Sequence, residues 1–530
     1  MLDRDRVLPH LLAKRAEAEP DRVFFQQIDG PELTYSQLHE GNLLWADAYR
    51  RLGVKPFENV ATMLPTDVET YHSWMGLAWL RAIDVPMNTM FRDKMLAYIV
   101  DNSDARTLVI GSEFADRLGD VAGDLPKLET VVVPDSDDVA LDLPFRVVTR
   151  SEFLDGASPA TDLEGPEYYD VASIIYTSGT TGPSKGVLVP WPELYWFDVY
   201  QEDELVPEDA LYMFLPPYHV SGKLNLYLTA KHNTRLVMRP GFSLGEFWND
   251  IRSYECTAVG LLGPLARLLM LNPEAPDDAD NPIRKATCGP LFPEIDAFKK
   301  RFGLELGTGY GMTEIGAVTA TEGTNIEDWR SCGKVRPGRP GYRLKVVDEH
   351  DEEVGPGVVG ELIVRCEEPW CMNVGYYGMP EKTAEAWRNG WFHTGDGFKV
   401  DENGNFFFVD RLKDAIRRRG ENISSFEVEG YVNDHPDVTE SAAIGVPSEL
   451  GEDEVKILVV RTPESELTAE SLLESLIPKM PRFMVPRYIE FVDALPKTEA
   501  TSRTQKMKLR ENALNENTWD REKAGIKLPK

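Results

Sequence analysis

Ala172-Ser-Ile-Ile-Tyr-Thr-Ser-Gly-Thr-Thr-Gly-Pro-Ser-Lys-Gly186 is the stretch on which the reading of this chain turns. Its first four residues have the apolar, β-branched texture of a short buried strand. Straight after them, Gly179, Gly182 and Gly186 let the backbone come close to a ligand and turn its N–H groups inward. The hydroxyls of Thr177, Ser178, Thr180 and Thr181 add donors, and Lys185 adds charge. A loop of this kind cradles a polyphosphate. A Ser/Gly surface loop has the same composition, but placement directly behind a strand favours phosphate. No GxxxxGK[ST] string occurs, so kinase and P-loop ATPase readings lose their main support. Gly355-Pro-Gly-Val-Val-Gly360 formally matches GxGxxG, yet it precedes a strand-like run rather than a helix and reads as a turn.

Outward from this loop, strand and helix patterns alternate. Thr34 and Gln37 form a capping box for a helix running to Leu52, stopped by Gly53, with Leu38, Trp45, Tyr49 and Leu52 on one face. Residues 59–64, 107–110, 130–133 and 235–238 read as short buried strands. Such alternation implies an α/β architecture with largely parallel sheets. From about Arg339 to Phe408 glycine-bounded strands dominate (342–347, 361–365, 405–409), which reads as a β-rich lobe.

The bulk properties narrow the function. The 530 residues are 42% hydrophobic, more than one small core needs, so at least two domains are expected. A formal charge of -31 repels a polyanion, which argues against nucleic-acid binding and requires any anionic ligand to meet a local positive site. Five cysteines without a CxxC pair argue against a disulfide framework or a zinc site and point to a reducing compartment. The N-terminus does not read as a signal peptide, and no stretch reaches the ~18 apolar residues of a membrane span. A cytoplasmic protein is expected.

The loop resembles the phosphate loop of the adenylate-forming (ANL) superfamily: acyl-CoA synthetases, peptide-synthetase adenylation domains and luciferases. Further motifs follow in that family's order: Leu215-Pro-Pro-Tyr-His219, Gly309-Tyr-Gly-Met-Thr-Glu314, Gly390-Trp-Phe-His-Thr-Gly-Asp396, Asp410-Arg-Leu-Lys-Asp414 with Gly420-Glu-Asn-Ile423, and Leu495-Pro-Lys-Thr498. The resemblance, with the strand and helix pattern, implies an α/β fold. It comprises a large N-terminal domain of two α/β sheet layers plus the β-rich lobe (1–410), a small mobile C-terminal α/β domain (411–515) and a surface tail (516–530). It further implies that Glu314 is the magnesium-linked carboxylate and Thr313 the hydroxyl beside the α-phosphate. Tyr310 and Cys288-Gly289-Pro290 would sandwich adenine, Asp396 would hold the ribose hydroxyls, Arg411 would bridge ribose and phosphate, and Lys413 would be the interdomain hinge. His219 aligns with a position guarding the acyl pocket, with Gly311 and Met312 along its channel. Arg417-Arg418-Arg419 beside Gly420 and Glu421 would hold the phosphates of coenzyme A, and the string resembles the carnitine/crotonobetaine-CoA-ligase-like branch.

Two departures stand out. The family's last motif places a lysine that bridges carboxylate and α-phosphate; here Arg503 takes that position, with one residue inserted. A planar guanidinium directs its donors differently from a compact ammonium. The expectation is an acyl-CoA ligase with intact thioester formation and impaired self-adenylation, unless Arg503, Lys497 or Lys506 substitutes adequately. Pro190-Trp191-Pro192 replaces the family's Thr-His, so Trp191 is expected in the acyl pocket wall or in packing. The implied reactants are a carboxylic acid or its adenylate, ATP or acyl-AMP, Mg and CoA, with a separate adenylating enzyme as a possible partner. The chain itself is expected to be a monomer or homodimer, and a place in secondary metabolism is compatible. The alternative readings are an enzyme loading a carrier protein and a thioesterification-only enzyme fed acyl-AMP. The acid itself is not legible.

Overall fold

The helix expected after Thr34 runs Tyr35–Leu52, and its capping box is closed at both ends: Gln37 N donates to Thr34 Oγ1 at 3.3 Å and Thr34 N donates to Gln37 Oε1 at 2.9 Å. Gly53 ends it with φ 100°, a left-handed position that a side chain would disfavour. Leu38, Trp45 and Tyr49 are buried, as the spacing requires, against the helix Val68–Trp79 and the strands beneath.

This computed structural model describes residues 4–139, 141–177, 184–198, 205–324, 326, 328–338, 340–411, 416–418, 421–423, 425–447, 453–482, 484–497, 504–526 and 528; of Arg411, Arg417, Glu421, Asn422 and Glu427 it describes the backbone alone. The chain divides into two units, one of Met1–Thr177, Ser184–Arg343 and Arg365–Arg388, the other containing Leu344–Val364 and Asn389–Lys530.

The first unit holds two seven-stranded sheets. One is ordered Leu306–Gly307, Lys285–Gly289, Ala258–Leu262, Ala210–Met213, Arg235–Met238, Val23–Gln27, Glu32–Thr34; the other Arg146–Val148, Thr130–Val132, Thr107–Ile110, Asn59–Met63, Ile83–Pro86, Val171–Thr177, Lys185–Pro190. In each, only the last strand runs antiparallel to its neighbour. The strands expected at 107–110 and 235–238 have those bounds, and both are apolar because both faces of a parallel sheet are covered. Phe25, Leu211 and Leu236 of one sheet share a core with Ala172, Ile175 and Val187 of the other, around Trp74 and Trp191.

The second unit contains a four-stranded sheet (Tyr342–Val347, Gly360–Cys366, Phe392–Val400, Phe406–Arg411), a hairpin (Ile416–Arg418 with Glu421–Ile423) and a second four-stranded sheet ordered Val438–Pro447, Asp453–Arg461, Tyr488–Phe491, Trp519–Asp520. One detail differs from the sequence reading. The expected surface tail instead supplies a strand: Trp519 and Asp520 pair with Ile489 and Tyr488, and Arg521 is buried. Its anchor is Lys456, whose buried Nζ donates to Ala513 O at 2.6 Å and Thr518 Oγ1 at 3.1 Å and pairs with Glu490. Among the described residues no helix is long and apolar enough to cross a membrane.

Candidate active site

The phosphate-loop residues Ser178, Gly179, Thr180, Thr181 and Gly182 lie outside the described residues, but the base of the loop is defined. Thr177 ends the strand Val171–Thr177 and Lys185 opens the strand Lys185–Pro190, and the two face each other across an antiparallel ladder. The placement behind a strand holds. Gly186 sits where a Cβ would fall 2.7 Å from Ile174, so the close ladder needs a glycine there.

Lys185 Nζ lies 4.3 Å from the centre of the Tyr376 ring. Tyr376 is fixed by the chain itself: Tyr377 N donates to Gly186 O at 2.8 Å and Leu188 N to Gly375 O at 3.0 Å, so the segment around residues 374–377 runs along the strand after the loop. From there Tyr376 Oη donates to Glu314 Oε1 at 3.2 Å. Glu314 is buried on the turn between the strands Gly309–Met312 and Gly316–Ala320, where Ile315 N donates to Met312 O. Asn373 holds the main chain of that turn twice, donating from N at 3.0 Å and from Nδ2 at 2.7 Å to Glu314 O. Thr313, on the same turn, is buried. The fold thus gathers Lys185, Thr313 and Glu314 around two residues, Asn373 and Tyr376, that the sequence reading did not single out.

On the strand leading to this turn, Tyr310 N donates to Thr319 Oγ1 at 3.0 Å and its hydroxyl lies 3.6 Å from Met312 Sδ. A Cβ on Gly311 would fall 2.5 Å from Gly316 O, so the tight hairpin admits only glycine. Cys288-Gly289-Pro290 ends the strand Lys285–Gly289 beside Tyr310: a Cβ on Gly289 would stand 3.9 Å from Gly309 O. Cys288 is buried, and burial pushes its thiol up to about 12, which leaves it an inert packed residue. His219, half-buried, is the N-cap residue of the helix Val220–His232 on the turn closed by His219 N donating to Pro216 O.

Glu193 lies on the helix Trp191–Trp196, 0% exposed. Burial, and secondarily the neighbouring Glu314, raises its carboxyl well above the ordinary range, which favours the protonated form beside Glu314. Trp191 is 1% exposed and stacks on Trp74 with ring centres 5.7 Å apart at 17°, while Lys223 Nζ sits 3.9 Å from the other ring's centre. Of the two expectations for Trp191, packing is what the structure contains: two prolines start the helix and turn the indole into the core.

In the second unit, Asp396 and Arg411 are direct partners across the ladder between Phe392–Val400 and Phe406–Arg411. The Asp396 turn is braced by Thr394 Oγ1, which accepts from Asp396 N at 3.1 Å, and by Glu361, whose Oε1 accepts from Gly395 N at 2.9 Å and whose Oε2 meets His393 Nδ1 at 2.9 Å. Lys413, Arg419, Gly420 and Arg503 lie outside the described residues, as do the side chains of Arg417 and Glu421. Arg418 corrects the expectation of a phosphate-binding run: it is buried, its Nη2 is 2.6 Å from Glu454 Oε2 and its Nη1 donates to Val485 O at 3.0 Å. On a strand, alternate residues face opposite sides, and Arg418 takes the inward one. The lysines flanking Arg503 are also engaged: Lys506 Nζ is 2.7 Å from Glu429 Oε1, and Lys497 Nζ pairs with Glu440 and lies 3.1 Å from Thr504 Oγ1.

Among the described residues no group of three or more His, Cys, Asp or Glu side chains is placed to hold a metal. Magnesium does not need one, because it is commonly held by one or two carboxylates together with substrate phosphates and water. A single buried carboxylate at Glu314, near Lys185 and the base of the loop, fits that donor set.

The AMP-binding enzyme family matches residues 12–377, and the AMP-binding enzyme C-terminal domain matches residues 427–501. A crotonobetaine/carnitine–CoA ligase from Proteus mirabilis (strain HI4320) is 30% identical over 492 residues, 90% of this chain and 93% of that protein. In fold, the chain is similar to an anthranilate CoA ligase in complex with anthranoyl-AMP (TM-score 0.85, 24% identity, 98% of both chains). It is also similar to a benzoate CoA ligase from Burkholderia xenovorans LB400 (TM-score 0.82, 23% identity, 95% of this chain and 99% of that one). The chain belongs to the AMP-binding enzyme family, within the adenylate-forming superfamily that its motifs resemble. Within that family it is an acid–thiol ligase of the AMP-forming acyl-CoA synthetase type.

Proposed function

We propose that the chain joins a carboxylic acid to coenzyme A through an acyl-adenylate, and that its two half-reactions are unequal: thioester formation is intact and adenylation is slow. In the first step a carboxylate attacks the α-phosphate of ATP and pyrophosphate leaves; in the second the CoA thiol attacks the mixed anhydride and AMP leaves. The observation that carries the reading is the Glu314 turn, held by Asn373 and Tyr376 beside Lys185. Lys185 and the loop amides hold phosphate charge, and Thr313 donates to the α-phosphate. Glu314 holds magnesium, which neutralises phosphate charge when bound. Tyr310 and Cys288-Gly289-Pro290 flank adenine. Asp396 accepts from the ribose hydroxyls, with Arg411 beside it. His219, Gly311 and Met312 line the acyl channel. The C-terminal domain, from about residue 411, turns at Lys413 between the steps, and Arg417 and Arg419 receive CoA phosphates.

Arg503 stands at the position of the adenylation lysine. The engagement of Lys497 and Lys506 with Glu440 and Glu429 supports Arg503 as the cation of that motif. A misdirected donor on transition-state charge costs on the order of 100- to 1,000-fold. A partner enzyme supplying acyl-AMP would bypass that step. The test offers candidate acids with ATP and magnesium, and separately as synthetic acyl-AMP with CoA. The panel starts with quaternary-ammonium acids, of the type for which the Proteus relative is named, and with aromatic acids. Thioester from acyl-AMP at a rate well above that from acid plus ATP, with Arg503→Lys closing the gap, supports the proposal. Rapid acyl-AMP accumulation by the unaltered chain refutes the slow first step.

A further inference from the structure

The helix Asp93–Asn102 holds none of the residues assigned to the reaction, yet it reaches both flanks of the phosphate loop. Leu96, Ala97, Ile99 and Val100 bury it in one core with Leu108 and Ile110 of the strand Thr107–Ile110 and with Ile174 of the strand that enters the loop. Tyr98 and Asn102, four residues apart, share another face of the helix. Tyr98 Oη donates to Ser184 O at 2.9 Å, on the exit flank directly before Lys185. Asn102 Oδ1 accepts from Tyr176 Oη at 2.7 Å, on the entry flank directly before Thr177. The Tyr98 and Tyr176 rings meet edge to face, with 6.5 Å between centres at 85°. Just past the helix, Asp104 Oδ2 accepts from Tyr377 Oη at 2.7 Å, and Lys127 Nζ lies 2.9 Å from the other carboxylate oxygen. Tyr377 follows Tyr376, which reaches Glu314 Oε1 and stands beside Lys185.

We propose that Tyr98, Asn102 and Asp104 are positioning residues for ATP: through three tyrosine hydroxyls they fix the span of the phosphate loop and its separation from the Glu314 turn. Glycines that let a backbone approach phosphate also leave it free to adopt other conformations, so the loop needs its shape imposed from outside. The Thr177–Lys185 ladder joins the two flanks, and the Tyr98 and Asn102 contacts tie each flank to an element packed in the core. The Asp104 contact does the same for the segment that bears Tyr376. The phosphates of ATP must meet the loop amides, Lys185 and the magnesium site at Glu314 together, so a shift of one of these against the others is felt in ATP binding. Acyl-AMP presents one phosphate where ATP presents three, and less of its binding falls on the loop. Tyr98, Asn102 and Asp104 act through Ser184, Tyr176 and Tyr377 rather than by touching the nucleotide.

The role in ATP binding rests on the proposed assignment of the loop to phosphate, and two measurements on the full chain separate the two. The first is the dissociation constant for MgATP by isothermal titration calorimetry, set beside kcat/KM for thioester formation from synthetic acyl-AMP and CoA. The second is amide hydrogen exchange over the strands Val171–Thr177 and Lys185–Pro190, which needs no activity. Tyr98→Phe, Asn102→Leu and Tyr377→Phe should each weaken MgATP about three- to tenfold, the worth of one hydrogen bond, and clearly more than they lower kcat/KM from acyl-AMP. Asn102→Leu combined with Tyr176→Phe should weaken it no further than either alone, since both delete the same bond. Tyr98→Phe and Asn102→Leu should also speed exchange in the two flanking strands, while the helix Tyr35–Leu52 keeps its protection. Equal losses for ATP and acyl-AMP, additive losses at Asn102 and Tyr176, or unchanged exchange in the flanks would overturn the proposal. An unaltered chain that binds no MgATP would overturn the phosphate assignment and the ATP role with it, and faster flank exchange in the variants would then leave only the anchoring of the loop standing.

Discussion

Replacing Glu193 with glutamine should make the N-terminal domain progressively more stable than the unaltered protein as pH rises. Glu193 is fully buried, and burial, then the neighbouring Glu314, raises its carboxyl well above the ordinary value. In the unfolded chain it titrates near the ordinary glutamate value, about 4.3. Below that pH both states hold the proton and its contribution to folding is complete. Above it the unfolded chain sheds the proton while the folded one keeps it, so unfolding releases a proton and stability falls with pH. The slope is about 1.4 kcal/mol per pH unit until the folded carboxyl itself ionises.

Glutamine carries no such slope. Its amide hydrogens need acceptors in a buried site, a cost of roughly 1–3 kcal/mol that does not vary with pH. The slope therefore isolates the proton. Across the window above about pH 5 in which the folded carboxyl keeps its proton, the difference between variant and parent should widen steadily with pH. Denaturant unfolding followed by tryptophan fluorescence reads it, because Trp74 and Trp191 sit in the same core as the Glu193 helix. A difference that is flat across that window would mean that Glu193 is ionised or hydrated in the folded protein, and the protonated neighbour assigned to Glu314 would fall with it.

Asn373→Ala removes the side-chain half of the clamp on Glu314 O and should lower the rate of adenylation by about tenfold or more at unchanged far-UV circular dichroism, since small misplacements of a positioned group are costly. Tyr376→Phe deletes one hydrogen bond to the Glu314 carboxylate, with about 0.5–1.5 kcal/mol expected in the magnesium dependence of the first step, read as a shift of its midpoint. Arg418→Ala strands the buried Glu454 and should cost the C-terminal domain about 3–5 kcal/mol while leaving the KM for CoA of the folded protein unchanged; a selective rise in KM would restore Arg418 as a CoA ligand. Thr34→Ala opens the capping box and should cost about 1 kcal/mol in thermal or denaturant unfolding.

The distance over which each signal acts separates what was legible from what was not. The helix Tyr35–Leu52 could be read to its ends because Thr34, Gln37 and Gly53 act within a turn of it, and the strand 107–110 because its apolar run is itself the signal. The Thr177 and Lys185 flanks of the phosphate loop were legible for the same reason. Arg418 and Trp191 were misjudged or left undecided because their partners, Glu454 and Trp74, are far away in the chain, and neither a charge run nor a proline pair says which way a side chain turns. Asn373 and Tyr376 had no local signature at all. They serve Glu314 because the residue 374–377 segment adds itself to the edge of the strand Lys185–Pro190, a long-range backbone pairing. The motif residues supply the groups that would meet phosphate, while the residues that aim them come from wherever the sheet edge has room. Substitutions at Asn373 and Tyr376 should therefore weaken the first step while the Thr177–Lys185 ladder and the Met312–Ile315 turn keep their form.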